Sequence, residues 1–166
     1  DFEMPELVAG KSTLEDLMVR MKRKESLVHN KALNPLWYGE VKTVDFTGRQ
    51  EQTEMVSLIK DTNKFRFILQ KSGPGEELDM SDCLFEIHAD NWNNDLLDDD
   101  VISYQPYHLE KVEDVGIVAE MNTMRLLEHK KVYLTLTRMS DSKELMKVAL
   151  IPYLLLTKME GDTIPA

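Results

Sequence analysis

The feature that most restricts the fold is the hydrophobic period, which changes to two from Leu36 onward. Phe65, Phe67 and Leu69 fall on one side of an extended chain, with Lys64 and Arg66 opposite; Cys83–Ala89 and Val132–Thr137 alternate in the same way. Successive side chains of a strand point to opposite faces, so this period gives each segment one face for a core and one for water. Turn-forming residues punctuate the runs: Thr47-Gly48, Asp61-Thr62-Asn63, Ser72-Gly73-Pro74-Gly75 and Ser140-Asp141-Ser142. About eight strands are expected, near residues 38–46, 53–60, 64–71, 83–89, 100–104, 115–121, 131–139 and 145–157. Strands this closely spaced leave no room for alternating βαβ units. The expected fold class is all-β: an antiparallel β-sandwich, jelly-roll-like, over residues 35–160, followed by a short tail at 161–166. The last strand carries apolar residues on both faces, which predicts cover from two sides.

The first 34 residues read differently. An extended arm with Pro5 and Gly10 precedes Ser12-Thr13-Leu14-Glu15, which fits a capping box. Leu14, Leu17, Met18, Met21 and Val28 recur at steps of three and four, and Glu15 and Asp16 precede Arg20, Lys22, Arg23 and Lys24. Apolar stripe and charge order together predict an N-terminal amphipathic α-helix ending near Asn30. Trp37 and Tyr38 are then expected to pack that helix onto the sandwich, and Tyr104-Gln105-Pro106-Tyr107 to form a turn or edge.

Charge is distributed unevenly. The 166 residues hold 20 Lys and Arg against 30 Asp and Glu, a net charge of −10. Between Ser72 and Glu110 there is no Lys or Arg but eleven carboxylates, whereas residues 11–31 have six basic and three acidic side chains. An acidic average surface repels phosphate, so nucleic acid is disfavoured as a partner. The opposed ends suit electrostatic docking to a protein or to a second copy, with Arg20, Lys22, Arg23 and Lys24 on one side and Asp98, Asp99, Asp100 and the apolar tip Trp92 on the other. The same basic cluster suits a peripheral contact with anionic membrane.

The run from Asp90 to Asp100 packs five carboxylates and three amides into eleven residues. Oxygen ligands at that density suit Ca²⁺, with Asp90, Asp95 and Asp98 as candidate ligands, although the run departs from the EF-hand pattern. No other cofactor is indicated. The four histidines show no metal-binding spacing, and no phosphate-cradling loop or nucleophile elbow occurs. Cys83 and His88 are an odd number of residues apart on one strand and so face opposite ways.

The only thiol is Cys83, which suggests a reducing, intracellular and cytoplasmic setting. The most apolar stretch, Val148–Leu156, is interrupted by Pro152 and falls short of the ~20 residues a spanning helix needs. The chain opens Asp-Phe-Glu-Met-Pro, without an initiator Met, as expected of a trimmed form. The sequence therefore points to a non-enzymatic interaction or self-assembly module, of a viral or cytoskeletal structural kind. A calcium-dependent lipid- or protein-binding sandwich is the first alternative. A hydrolase with distant carboxylates brought together is the second.

Overall fold

In the computed structural model of the chain the described residues are 2–4, 6–13, 16–17, 19–22, 28–41, 43–45, 48, 51–70, 78–89, 102–127 and 131–157. Among them run, in order, strands β1 (Phe2–Glu3), β2 (Arg20–Met21), β3 (Val28–His29), β4 (Trp37–Tyr38), β5 (Ile59–Lys60), β6 (Thr62–Leu69), β7 (Cys83–Ala89), β8 (Ser103–Tyr104), β9 (His108–Val112), β10 (Gly116–Met124), β11 (Val132–Arg138) and β12 (Lys143–Ala149), then helix α1 (Leu150–Leu156). One sheet has the order β6-β10-β9 and the other β12-β11-β7-β8-β3, while β1-β2 and β4-β5 are two-stranded ribbons. β3 runs parallel to β8, and the other pairings are antiparallel.

The period-two pattern builds the core directly. Register sets Leu134 opposite Ile87 and Leu136 opposite Phe85, so all four project from the larger sheet toward the smaller one. There Ile87 packs in one apolar cluster with Met121 and Phe67, and Phe85 in a second with Ile117 and Ala119. Each such side chain stabilises the fold by about 1.5–3 kcal/mol when fully buried. Cys83 is buried in the second cluster and His88 lies on the opposite face, as their odd separation requires. Tyr104, expected in an exposed turn or edge, is instead fully buried, with an edge-on contact from His29 at 6.2 Å.

Among the described residues of 12–30 no α-helix forms. Arg20–Met21 pairs with Phe2–Glu3, and Val28–His29 joins the larger sheet beside Ser103–Tyr104. Met21, 2% exposed, packs with Ile87, Ile102 and Tyr104. Burial against a sheet has overridden a helical spacing that is only a weak local preference. The Ser12 hydroxyl accepts from the Val8 N–H at 2.9 Å, and the nearby turn is closed by Asp16, whose carboxylate accepts from the Thr13 N–H at 2.7 Å. Trp37, expected to pack that helix onto the sandwich, is half exposed.

The C-terminal expectation also changes. The strand ends at Ala149, and Leu150–Leu156 is helical with Thr157 closing it through bonds to the Tyr153 and Leu154 carbonyls. Pro152 cannot donate to a sheet ladder but is tolerated in the first turn of a helix, where N–H groups lack intrahelical partners. Lys147 and Ala149 are exposed, so β12 is not covered twice. Among the described residues β10 is buried on both faces, with Val118 and Asn122 on one and Ala119 and Met121 on the other.

Candidate functional site

The outward side of the larger sheet carries a polar network assembled from three strands and the segment after β8. Glu86 is its centre. Its Oε1 accepts from the Ser103 hydroxyl at 2.7 Å and from the Gln105 amide at 3.0 Å, and its Oε2 lies 3.1 Å from His88 Nε2. The pleat puts Glu86 and His88 on the face opposite Phe85 and Ile87, and register brings Thr135 and Tyr133 beside them. Lys147 lies 4.8 Å from the centre of the Tyr133 ring. Burial alone would raise the Glu86 carboxyl's pKa, but the bonds from Ser103, Gln105 and His88, together with the attraction of His88, outweigh burial and hold it below the ordinary value.

A second network lies outside the smaller sheet. Glu120 accepts from the Tyr107 hydroxyl at 2.8 Å and pairs with Lys64 at 3.4 Å and more loosely with Arg66 at 4.0 Å. The Tyr107 bond, reinforced by Lys64 and Arg66, lowers the Glu120 carboxyl's pKa.

Where the chain passes from β5 to β6, Asp61 is buried, and its Oδ1 has no hydrogen-bond donor but lies 3.7 Å from Arg125 Nη1. Burial pushes this carboxyl up and Arg125 only partly offsets it.

Most of the sequence-derived site is not among these residues. Lys22 is exposed after β2, and the Arg20 backbone belongs to that strand. Arg23, Lys24, Asp90, Trp92, Asp95, Asp98, Asp99 and Asp100 lie outside the described residues, so both the docking set and the calcium set fall largely there. Of the acidic segment, Asp79 caps a short 3-10 turn by accepting from the Ser81 N–H at 2.9 Å. Asp82 accepts from the Ser140 N–H at 2.7 Å, tying that turn to the β11–β12 hairpin. These carboxylates are engaged inside the domain. The network around Glu86 was visible in sequence only as the polar side of an alternating strand; nothing in spacing joins Glu86 to Ser103 and Gln105.

Two face-packed sheets with polar networks on their outer sides put the chain in the class of all-β sandwich proteins. A protein of Bacteroides thetaiotaomicron, described as a candidate polysaccharide-binding protein, is 41% identical with a TM-score of 0.82, over 98% of this chain and 59% of that one. A candidate adhesin of Bacteroides ovatus is 28% identical with a TM-score of 0.76, over 94% of this chain and 54% of that one. The fimbrial anchor protein Mfa2 of Porphyromonas gingivalis shares the fold, with a TM-score of 0.71 at 17% identity, over 96% of this chain and 58% of that one. Among curated proteins no sequence matches. The family model for Fimbrillin-A associated anchor proteins Mfa1 and Mfa2 matches residues 1–165, and the chain belongs to that family. It spans somewhat over half the length of these solved relatives.

Membership overturns the expected intracellular, cytoplasmic location, because fimbrial anchors and their adhesin relatives are cell-surface components. The inference from cysteine failed for a physical reason. A lone thiol, buried in an apolar cluster as Cys83 is, behaves as a small hydrophobe and has no disulfide to form within its chain in any compartment.

Proposed function

We propose that this chain is a docking domain of a fimbrial anchor and holds a fimbrial protein subunit at the cell surface by non-covalent contact. The observation that carries this reading is the family match over residues 1–165. The sandwich supplies a rigid support, and the opposed charges of residues 11–31 and 72–110 supply steering: complementary potentials accelerate encounter and fix orientation more than they add affinity. Arg20, Lys22, Arg23 and Lys24 form the basic side of that pair, and Asp98, Asp99, Asp100 with Trp92 the acidic side.

The test is binding of the purified fimbrial shaft subunit of the source bacterium to the immobilised chain at several salt concentrations. Wild type binds with an association rate that falls as salt rises, and reversing Arg20, Lys22, Arg23 and Lys24 to Glu lowers that rate by roughly tenfold or more. Absence of binding by wild type at every salt concentration refutes the reading. Sedimentation of the chain alone separates subunit docking from self-association.

The 41% identity to the candidate polysaccharide-binding protein favours a second reading, in which the domain holds a surface glycan. Calorimetric titration with capsular polysaccharide decides between the two.

A further inference from the structure

Helix α1 has no polar side. Its residues, Leu150-Ile151-Pro152-Tyr153-Leu154-Leu155-Leu156, include no charged side chain, and the Tyr153 hydroxyl is their one polar group. The sandwich uses one stripe of them. Leu150 and Ile151 are buried in the apolar cluster around Ile87 and Tyr104, and Leu154 packs against it, as three- and four-residue steps on a helix allow. Pro152, Tyr153, Leu155 and Leu156 are left exposed, Tyr153 to 52% and Leu156 to 83%.

The same steps join these four side chains into one surface. Tyr153 and Leu156 are three residues apart, and Pro152 lies three from Leu155 and four from Leu156, so they adjoin along the helix. Thr157 closes the last turn by donating to the Tyr153 and Leu154 carbonyls, which fixes the surface in shape. A helix that faces water on one side carries polar residues there, whereas one that is apolar all round is buried. The sandwich covers only one side of α1.

We propose that the open side of α1 seats a further domain of the same polypeptide, corresponding to the part of its relatives that this chain does not span. The length of those relatives favours that occupant. The chain covers 59% of one and 54% of another, so each carries a large stretch of further polypeptide. The size of the surface favours it as well. A stable complex of separate chains buries about 800 Å² on each partner, more than four side chains on two helical turns present. A tethered domain needs less, because the link makes docking intramolecular at an effective concentration in about the millimolar range. A helix that lies on lipid carries a basic polar face, and α1 has no basic residue.

The test sets the complete polypeptide encoded in the source bacterium beside the 166-residue chain. Leu156→Cys and a control, Met139→Cys at a half-exposed position after β11, are treated with a thiol reagent and followed on the peptides that carry them; Cys83 is buried. In the 166-residue chain the two thiols should react at similar rates. In the complete polypeptide Leu156→Cys should react roughly tenfold more slowly or less, with Met139→Cys unchanged. A second variant, Leu155→Asp with Leu156→Asp, should leave the melting temperature of the shorter chain unchanged and lower that of the complete polypeptide by about 5 °C or more. Equal labelling of Leu156→Cys in both with no loss of melting temperature, or a complete polypeptide no longer than this chain, overturns the further domain. Slowing that appears only as the shorter chain is concentrated, or only with anionic vesicles, gives the surface to a second copy or to lipid and overturns the assigned occupant.

Discussion

Replacing Gly116 with Ala should destabilise the domain far more than a single methyl group suggests. Gly116 opens β10 with φ at +117°, a region that residues with a side chain avoid, so Ala incurs about 1–3 kcal/mol of backbone strain. A Cβ at this position would also run into the Leu69 carbonyl oxygen and lie 3.1 Å from its carbonyl carbon. Those atoms are backbone at the end of β6, paired with β10 through Leu69 and Ile117, and no rotamer change relieves the overlap. The strand end must retract, losing one or two ladder hydrogen bonds at about 1 kcal/mol each. The sum is about 2–5 kcal/mol, which at about 2–4 °C per kcal/mol for a domain of this size lowers the melting temperature by about 4–20 °C. Gly48→Ala is the control. Its φ is +74° but no atom lies within 4 Å of the added Cβ, so it carries conformational strain alone, about 1–2 kcal/mol. Thermal melts followed by circular dichroism measure both. A Gly116→Ala protein that melts within about 2 °C of wild type, or no lower than Gly48→Ala, refutes the reasoning.

Arg125→Met removes the cation facing Asp61 and should cost about 3–5 kcal/mol near neutral pH by urea denaturation, because it leaves a buried carboxylate uncompensated. The folded-state pKa of Asp61 is raised, so protonation relieves the penalty and the cost should shrink as pH falls; a cost independent of pH counts against the ion pair. Glu86 has the opposite sign. Its folded-state pKa is depressed, so its stabilising contribution is present above its unfolded-state value, about 4.3, and is lost as pH falls through the folded value. Glu86→Gln should therefore be less stable than wild type at neutral pH and converge with it in acid; parallel stability curves refute the network's role.

The strands of the core were legible because each declares its own two faces: Phe65 and Phe67, Phe85 and Ile87, and Leu134 and Leu136 alternate with polar residues regardless of partner. The segment from Leu14 to Val28 has a helical apolar spacing, yet Arg20–Met21 and Val28–His29 pair as strands. The buried Tyr104, Ile87 and Ile102 pack with Met21 and decide its state, and they lie 66 or more residues from it in sequence. Pro152 was recognised as a barrier to a spanning helix, yet the same residue sits in the first turn of α1, just past the end of β12, where the apolar run had been extended as strand. The Glu86 network shows the same limit. Sequence placed Glu86 and His88 on a polar face, but Ser103 and Gln105 arrive by sheet pairing, with β8 laid beside β7.

The charged segments proposed for docking act on one particular step of association. Charges outside a buried contact act over a Debye length, about 8 Å at physiological salt, and set how often partners meet in the right orientation. Contacts buried at an interface act only after the partners meet, and their loss is felt in how fast the complex falls apart. Reversal of Arg20, Lys22, Arg23 and Lys24 should thus slow association and flatten its salt dependence, with the dissociation rate little changed. If the reversal altered the dissociation rate constant alone, the steering role of that segment would be wrong.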